Sequence, residues 1–235
     1  MELKGLTAIV TGASKGIGKA IAFSLSAHGV NVVLAARSAD LLTGIQKEIS
    51  NTGGTSMVIT ADVTSESSVQ NLINETQKKF GTVDILINNA GVGMFSNVVD
   101  MKTAEYDTMM NVNLKGVFLC SRAVLPAMIK QQKGEIINIA SLAGKNSFAG
   151  GSVYSATKWG LIGFSRSLML EVRDYNIRVV TISPGSVNTH FAEKEKNEPQ
   201  IIQPQDVADT VLFALNIPSR VNVSEIDIRP TKKPR

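Results

Sequence analysis

A single cysteine, Cys120, leaves no partner for an internal disulfide and excludes the cross-linked secreted scaffolds. The two histidines, His28 and His190, stand in no metal-ligand spacing with cysteine or carboxylate, so no catalytic metal is expected. No apolar run approaches the roughly 18–20 uninterrupted residues of a membrane span. The opening MELKGLTAIVTG carries Glu2 and no long apolar stretch, and it reads as the start of a strand rather than a signal peptide. Nor does charge of one sign dominate. Lys and Arg number 24 against 20 Asp and Glu, a net charge of +4 that gives no reason to expect nucleic acid. The basic residues are scattered apart from the tail Lys232–Arg235, which reads as a solvated end. These absences together leave a cytoplasmic protein with neither a membrane nor a nucleic-acid partner.

What the chain does contain is enough apolar material, 43% of 235 residues, to build one α/β core, and a single domain over 1–235 is the economical expectation. Short runs rich in Val and Ile lie at Leu6–Val10, Asn31–Ala36, Ser56–Ala61, Val83–Asn88, Gly134–Ala140 and Arg178–Ser183, with a last one at Glu225–Arg229. Their near-continuous apolar character marks strands covered on both faces of a parallel sheet. Amphipathic helical patterns alternate with them over Gly16–His28, Ala39–Thr52, Ser65–Phe80, Thr103–Lys130, Ser152–Tyr175 and Pro204–Leu215. The alternation predicts a Rossmann-type, doubly wound parallel sheet of about seven strands with helices on both faces. The polar stretch 186–203 reads as a mobile loop with a short helix.

The segment TGASKGIG follows the first strand and opens the first helix. Gly12, Gly16 and Gly18 stand in the spacing G-x-x-x-G-x-G, which lets a backbone turn tightly and lets a phosphate approach a helix N-terminus. It is not a P-loop, because no Gly-Lys-Ser/Thr follows a four-residue spacer. A dinucleotide site is therefore expected here. Beyond the second strand, Ala36 supplies no carboxylate for a ribose 2′-hydroxyl, whereas Lys15 and Arg37 supply positive charge and Ser14 and Ser38 supply hydroxyls. That set favours NADP(H) over NAD.

Further on, Tyr154-Ser155-Ala156-Thr157-Lys158 (YSATK) sets a phenol and an ammonium four residues apart, on one face of a helix. Alone, such a pair reads as exposed surface. Taken in order with TGASKGIG, Asn88-Asn89-Ala90-Gly91, Ser141 and Pro184-Gly185, it resembles the short-chain dehydrogenase/reductase family over about residues 6–189. The resemblance implies a catalytic tetrad of Asn113 (in NVNLKG), Ser141 (in INIASLAG), Tyr154 and Lys158. Tyr154 is then expected to donate a proton to a carbonyl oxygen, and Lys158 to lower its pKa and to hold the nicotinamide ribose. Ser141 is expected to polarise the carbonyl, and Asn113 to hold a water in the proton relay. The same resemblance implies further cofactor contacts. Ile17 backs the pyrophosphate turn, Asp62 and Val63 run along the adenine, and Asn89, Ala90 and Gly91 lie beside the adenosine ribose. Pro184, Gly185, Val187 and Thr189 line the nicotinamide side. Asn88 has a second reading as a tie between strands.

Within the family the chain is most similar to the 3-oxoacyl-[acyl-carrier-protein] reductases, with a divergent C-terminal end. The segment after Thr189 is short, and VNVSEIDIRPTKKPR lacks their Gly-rich final strand. Where they present docking cations stand Gln132 and Tyr175, with Lys130, Lys133 and Arg173 nearby. The substrate stays open between an acyl thioester, presented by an acyl carrier protein, and a small free carbonyl or 3-hydroxy acid. Gly93, Met94, Phe95, Leu142, Ala143, Phe148 and Phe191 are expected to border it as a mostly apolar wall. A non-catalytic NADP(H) sensor is the alternative of another class. A homodimer or homotetramer is expected through the two long helices, whose Leu161, Phe164, Leu168 and Met169 face either a partner or the sheet.

Overall fold

The computed structural model describes residues 2–189, 191 and 201–232. His190, most of the basic tail and 192–200 of the expected loop lie outside them. The strands are β1 (Thr7–Thr11), β2 (Asn31–Ala36), β3 (Ser56–Thr60), β4 (Ile85–Asn88), β5 (Gly134–Ile139), β6 (Ile177–Pro184) and β7 (Glu225–Ile228). The helices are α1 (Gly16–Ala27), α2 (Ala39–Asn51), α3 (Glu66–Phe80), α4 (Thr103–Met110), α5 (Gly116–Gln131), α6 (Ser152–Val172) and α7 (Pro204–Asn216). Each strand pairs parallel with its neighbours in the order β3-β2-β1-β4-β5-β6-β7. The doubly wound parallel sheet is therefore as the sequence pattern predicts.

Side-chain alternation divides the core into two layers. Val10, Leu34, Ile87, Ile137 and Val180 point to one face and pack on α1, α2 and α7 through residues such as Ile21, Leu42 and Val211. Ile9, Val33, Leu86, Ile136 and Val179 point to the other and meet α3, α5 and α6 through Leu72, Val124 and Leu168. A strand flanked on both faces must be apolar at successive positions, which is why the strands read as continuous runs. Local signals set helix ends. Ser65 accepts the Ser68 N–H at the start of α3, and Gly81, at φ +80°, ends it. Pro204 occupies the first turn of α7, where Gln203 and Asp206 cap one another.

The expected helix Thr103–Lys130 is interrupted. A π-helical turn, Asn111–Lys115, separates α4 from α5 and shifts the hydrogen-bond register by one residue. Periodicity of apolar residues does not reveal such a turn, because one extra residue changes the phase only locally. The Thr103–Gln131 run as a whole is long and apolar enough to cross a membrane by length and composition. In the structure Leu119, Cys120, Val124 and Met128 of its α5 part pack in the core beneath the sheet. On α6, Leu161 and Leu168 are buried, and Phe164 and Met169 pack against the core clusters. The four residues suggested as contacts with a partner therefore face mainly inward.

The order β2-β1-β4 reverses the direction of winding between β1 and β4. This opens a crevice beyond the carboxyl ends of those strands, where ligands of doubly wound folds bind. Gly12 follows β1, and Asn89 follows β4.

Candidate active site

Thr11 at the end of β1 anchors the crevice. Its hydroxyl donates to the Ile87 carbonyl and accepts from the N–H groups of Asn89 and Ala90. The Asn89 amide returns the contact by donating to the carbonyls of Thr11 (3.0 Å) and Gly12 (3.2 Å). The Gly-rich loop is thus tied to β4 rather than hanging free. Gly12 has φ +65°, and a Cβ there would stand 2.9 Å from Ala90 Cα. At Gly18 a Cβ would come 2.3 Å from the Gly12 carbonyl oxygen. Only glycine lets the first turn of α1 come this close to the end of β1. The α1 N-terminus has no side-chain cap from Lys15 and no acidic residue in its first turn, which suits it to receive an anion. Gly16 begins the helix with Thr189 beside it, 3.2 Å from where a Cβ would lie. Ile17 packs partly buried against the core. A dinucleotide pyrophosphate fits this cradle by shape and by charge.

The flanking residues collect at the same edge. Ser14 is half-buried in the loop, and Lys15 and Arg37 are exposed. Arg37 lies near enough to Asp62 to help hold its carboxyl below the usual range. The larger cause is Thr64, whose N–H and hydroxyl both donate to Asp62 Oδ1. Val63 turns its side chain toward Gly116 at the head of α5, where a Cβ would be 2.8 Å away. Pro184 is buried at the end of β6, and the Gly185 N–H donates to the Ile228 carbonyl (2.9 Å). Val187 forms a parallel bridge with Ile202.

Tyr154 and Lys158 lie on one face of α6, and neither is a surface residue, at 8% and 5% exposed. Lys158 Nζ donates to the Ile139 carbonyl (3.0 Å) and stands 5.8 Å from the centre of the Tyr154 ring. It also lies 3.8 Å from where a Gly91 Cβ would be. Burial without a carboxylate partner pulls the ammonium from its ordinary 10.5 to about 8. Keeping an uncompensated cation buried costs stability, which points to a use for it. Tyr154 differs from expectation. Burial pushes its phenol up, with only a hydrogen bond to Ser141 acting against this, and Lys158 does not lower it. Desolvation of the phenol outweighs the Ser141 hydrogen bond.

Ser141 follows β5 and caps a short 3₁₀ turn, Leu142–Gly144, by accepting the Ala143 N–H (3.1 Å). That bond uses a lone pair and leaves the hydroxyl hydrogen to donate toward the Tyr154 phenol. Asn113, in the π turn, is 1% exposed. Its Oδ1 accepts from the Val92 N–H (2.8 Å), and its Nδ2 donates to the Val92 carbonyl (2.8 Å) and to Thr157 Oγ1 (3.1 Å). Both amide hydrogens are therefore occupied, and the side chain clamps the segment after Gly91 to α6. Asn88 is the tie between strands: its Nδ2 meets Asn138 Oδ1 (2.8 Å) and Ser121 (3.2 Å), and Asn138 in turn donates to Ser165.

The structure brings Ser141, Tyr154, Lys158, Gly91 and Asn113 to one place and sets the Gly-rich loop, Arg37, Asp62, Asn89, Pro184 and Thr189 along the same carboxyl edge. Sequence reasoning passed over Thr11 and Thr157. Thr11 heads TGASKGIG and Thr157 sits inside YSATK, so both stood within motifs already singled out. Among the described residues no group of three His, Cys, Asp or Glu side chains is placed to hold a metal ion.

Comparison with known proteins agrees with this geometry. The chain is 39% identical over 224 residues, 95% of its length and 96% of the relative's, to an uncharacterized oxidoreductase of Staphylococcus aureus. It is similar to a crystal structure of a metagenomic short-chain oxidoreductase in complex with NADP (40% identity, TM-score 0.88, 99% of this chain and 100% of that one). It is also similar to an alcohol dehydrogenase from the archaeon Thermococcus sibiricus complexed with 5-hydroxy-NADP (30% identity, TM-score 0.92, covering 98% and 99%). The family model for the short chain dehydrogenases matches residues 6–200, and the chain belongs to that family.

Proposed function

We propose that the protein is an NADPH-dependent carbonyl reductase, with Tyr154 as general acid. The observation that carries this reading is the buried pair Tyr154–Lys158 beside Ser141, at the crevice that also holds the Gly-rich cradle. Bound NADPH supplies the hydride. The Ser141 hydroxyl donates to the substrate oxygen and polarises it, and Tyr154 delivers the proton. Lys158 keeps one N–H on Ile139 and offers the others to the nicotinamide ribose. Lys15 and Arg37, with Ser14 and Ser38, receive the 2′-phosphate, in keeping with the NADP and 5-hydroxy-NADP held by the two structural relatives. Asn113 positions the Gly91–Val92 segment and α6, and the direct cofactor contacts fall to Gly91, Pro184, Gly185, Val187 and Thr189.

Burial raises the pKa of Tyr154. Near neutral pH the phenol carries its proton, the form that a reduction needs, whereas alcohol oxidation needs the phenolate and should quicken as pH rises. The substrate stays open between a free carbonyl and a carrier-bound thioester. Lys130 and Lys133 precede β5 and Arg173 precedes β6, so these cations lie at the amino edge of the sheet. The six-residue β5 puts them about 20 Å from the reacting centre at its far end.

A homo-oligomer is the assembly we favour. A shallow apolar groove of about 490 Å³ runs between α5 and α6, lined by Met110, Leu114, Phe118 and Phe164, with exposed Phe118 and Trp159 on the same two helices. The single cysteine of the chain is in keeping with a cytoplasmic setting. The test is NADPH oxidation with a panel of ketones and with acetoacetyl-CoA, run beside Tyr154→Phe. Turnover that falls at least about 10²-fold in the variant supports the reading. NADPH binding with no turnover on any carbonyl would leave the sensor alternative.

A further inference from the structure

Two phenylalanines meet the reacting phenol, and a third packs on one of them. Phe95 meets Tyr154 edge to face, with ring centres 5.4 Å apart at 75°. Phe191 approaches it at 5.8 Å and 60°, and Phe148 packs on Phe95 at 5.8 Å and 53°. Two glycines make room for them. A Cβ on Gly93 would stand 2.5 Å from Phe191 and 2.9 Å from Phe95, and one on Gly151 only 2.2 Å from Phe148. The rings thus lie over backbone that carries no side chain at these two positions.

They are also uncovered. Phe95, Phe148 and Phe191 are 45%, 47% and 40% exposed, while the phenol they enclose is nearly buried. Apolar rings with open faces beside a reacting group are surface that a ligand would cover. None of the three offers a hydrogen bond or a charge, and aromatic rings prefer tilted or edge-to-face partners at about 4.5–7 Å. A methylene chain would fill the space without using that preference. The polar arm of a thioester would gain nothing there.

We infer that the substrate carries a flat apolar group, an aryl ring, one or two carbons from its carbonyl, received by Phe95, Phe148 and Phe191. The inference rests on the carbonyl-reductase reading. The step itself is ordinary reduction: the carbonyl π bond breaks, a C–H bond forms from the hydride of NADPH and an O–H bond from the proton of Tyr154. NADPH leaves as NADP⁺ and the product is a secondary aryl-alkyl alcohol.

The test compares 4-phenylbutan-2-one with 4-cyclohexylbutan-2-one, whose carbonyls are equally reactive because neither ring is conjugated to them. Phe95→Leu and Phe148→Leu keep apolar volume but remove ring faces, and both positions are exposed enough that folding, checked by circular dichroism, should survive. A preference in kcat/KM of about three- to tenfold for the aryl ketone is expected, from one aromatic pair, falling toward parity in both variants. Equal rates in the unmodified protein, or a preference unchanged in both variants, would overturn the inference and leave carbonyl reduction standing. If neither ketone consumes NADPH, the activity reading fails by itself. The slot is then judged by saturation-transfer NMR: stronger aryl binding, lost in the variants, supports it, and equal binding of the two ketones refutes it.

Discussion

Replacing Lys158 with Met should abolish turnover and yet stabilise the ligand-free protein. The side chain is 5% exposed, its ammonium bonds only to the Ile139 carbonyl, and burial lowers its pKa from 10.5 to about 8. Each tenfold change in proton affinity is worth about 1.4 kcal/mol, so near pH 7 the protonated lysine costs the fold about 3 kcal/mol. Methionine fills similar volume without the charge but forfeits one hydrogen bond of about 1 kcal/mol. A net gain of about 2 kcal/mol corresponds to a melting temperature higher by about 4–8 °C for a chain of this size. The sign against pH follows from the lowered value. Below pH 8 both folded and unfolded lysine are protonated and the penalty is complete. Between about 8 and 10.5 only the unfolded chain keeps the proton, so the wild type regains stability as pH rises and the gap to the variant closes. Thermal melts of both proteins without cofactor, near neutrality and near pH 9.5, measure this directly. A variant less stable than wild type near pH 7, or a gap that does not change with pH, would refute the account of Lys158 as an uncompensated buried cation.

Three other perturbations follow from the geometry. Gly18→Ala would place a Cβ 2.3 Å from the Gly12 carbonyl oxygen, so NADPH affinity, followed by nicotinamide fluorescence, should fall by about tenfold or more while the fold persists. Thr157→Val removes the hydroxyl that accepts from Asn113 and donates to the Tyr154 carbonyl; a loss of about 1–3 kcal/mol in a denaturant titration is expected, with kcat reduced more than KM. Glu225 bonds Arg166 and Lys145, which hold its pKa at about 2. Its stabilising effect is complete above its ordinary 4.5 and fades as pH falls toward 2, so wild type and Glu225→Gln should differ in melting temperature at pH 6 and converge in that acid window.

The fold was legible because a parallel sheet covered on both faces writes itself into local sequence. Ile9 and Val10 point to opposite layers and both must be apolar, so β1 appears as a run. The Gly-rich loop was legible from its glycine spacing, whereas the contact that demands Gly12, with Ala90 beyond β4, is long-range and only the structure shows it. The π turn was not legible. It shifts hydrogen bonds without changing composition, and it matters because it carries Asn113 to Val92 and Thr157. The apolar residues of α6 were ambiguous because helical periodicity shows a stripe but not what lies against it. The structure turns Leu161 and Leu168 inward and leaves Trp159 outside.

By itself the sequence determined the alternation of strand and helix, the place of the phosphate cradle, the cationic set at Lys15 and Arg37, and the spacing of Tyr154 and Lys158. These depend on neighbours within a turn or a strand. Only the tertiary structure decided the electrostatics of the pair. Tyr154 was expected to be lowered by Lys158 and is raised instead, because a pKa answers to burial, and burial is set by segments far apart in the chain: Ile139 from β5, Gly91 beyond β4 and the rings of Phe95 and Phe191.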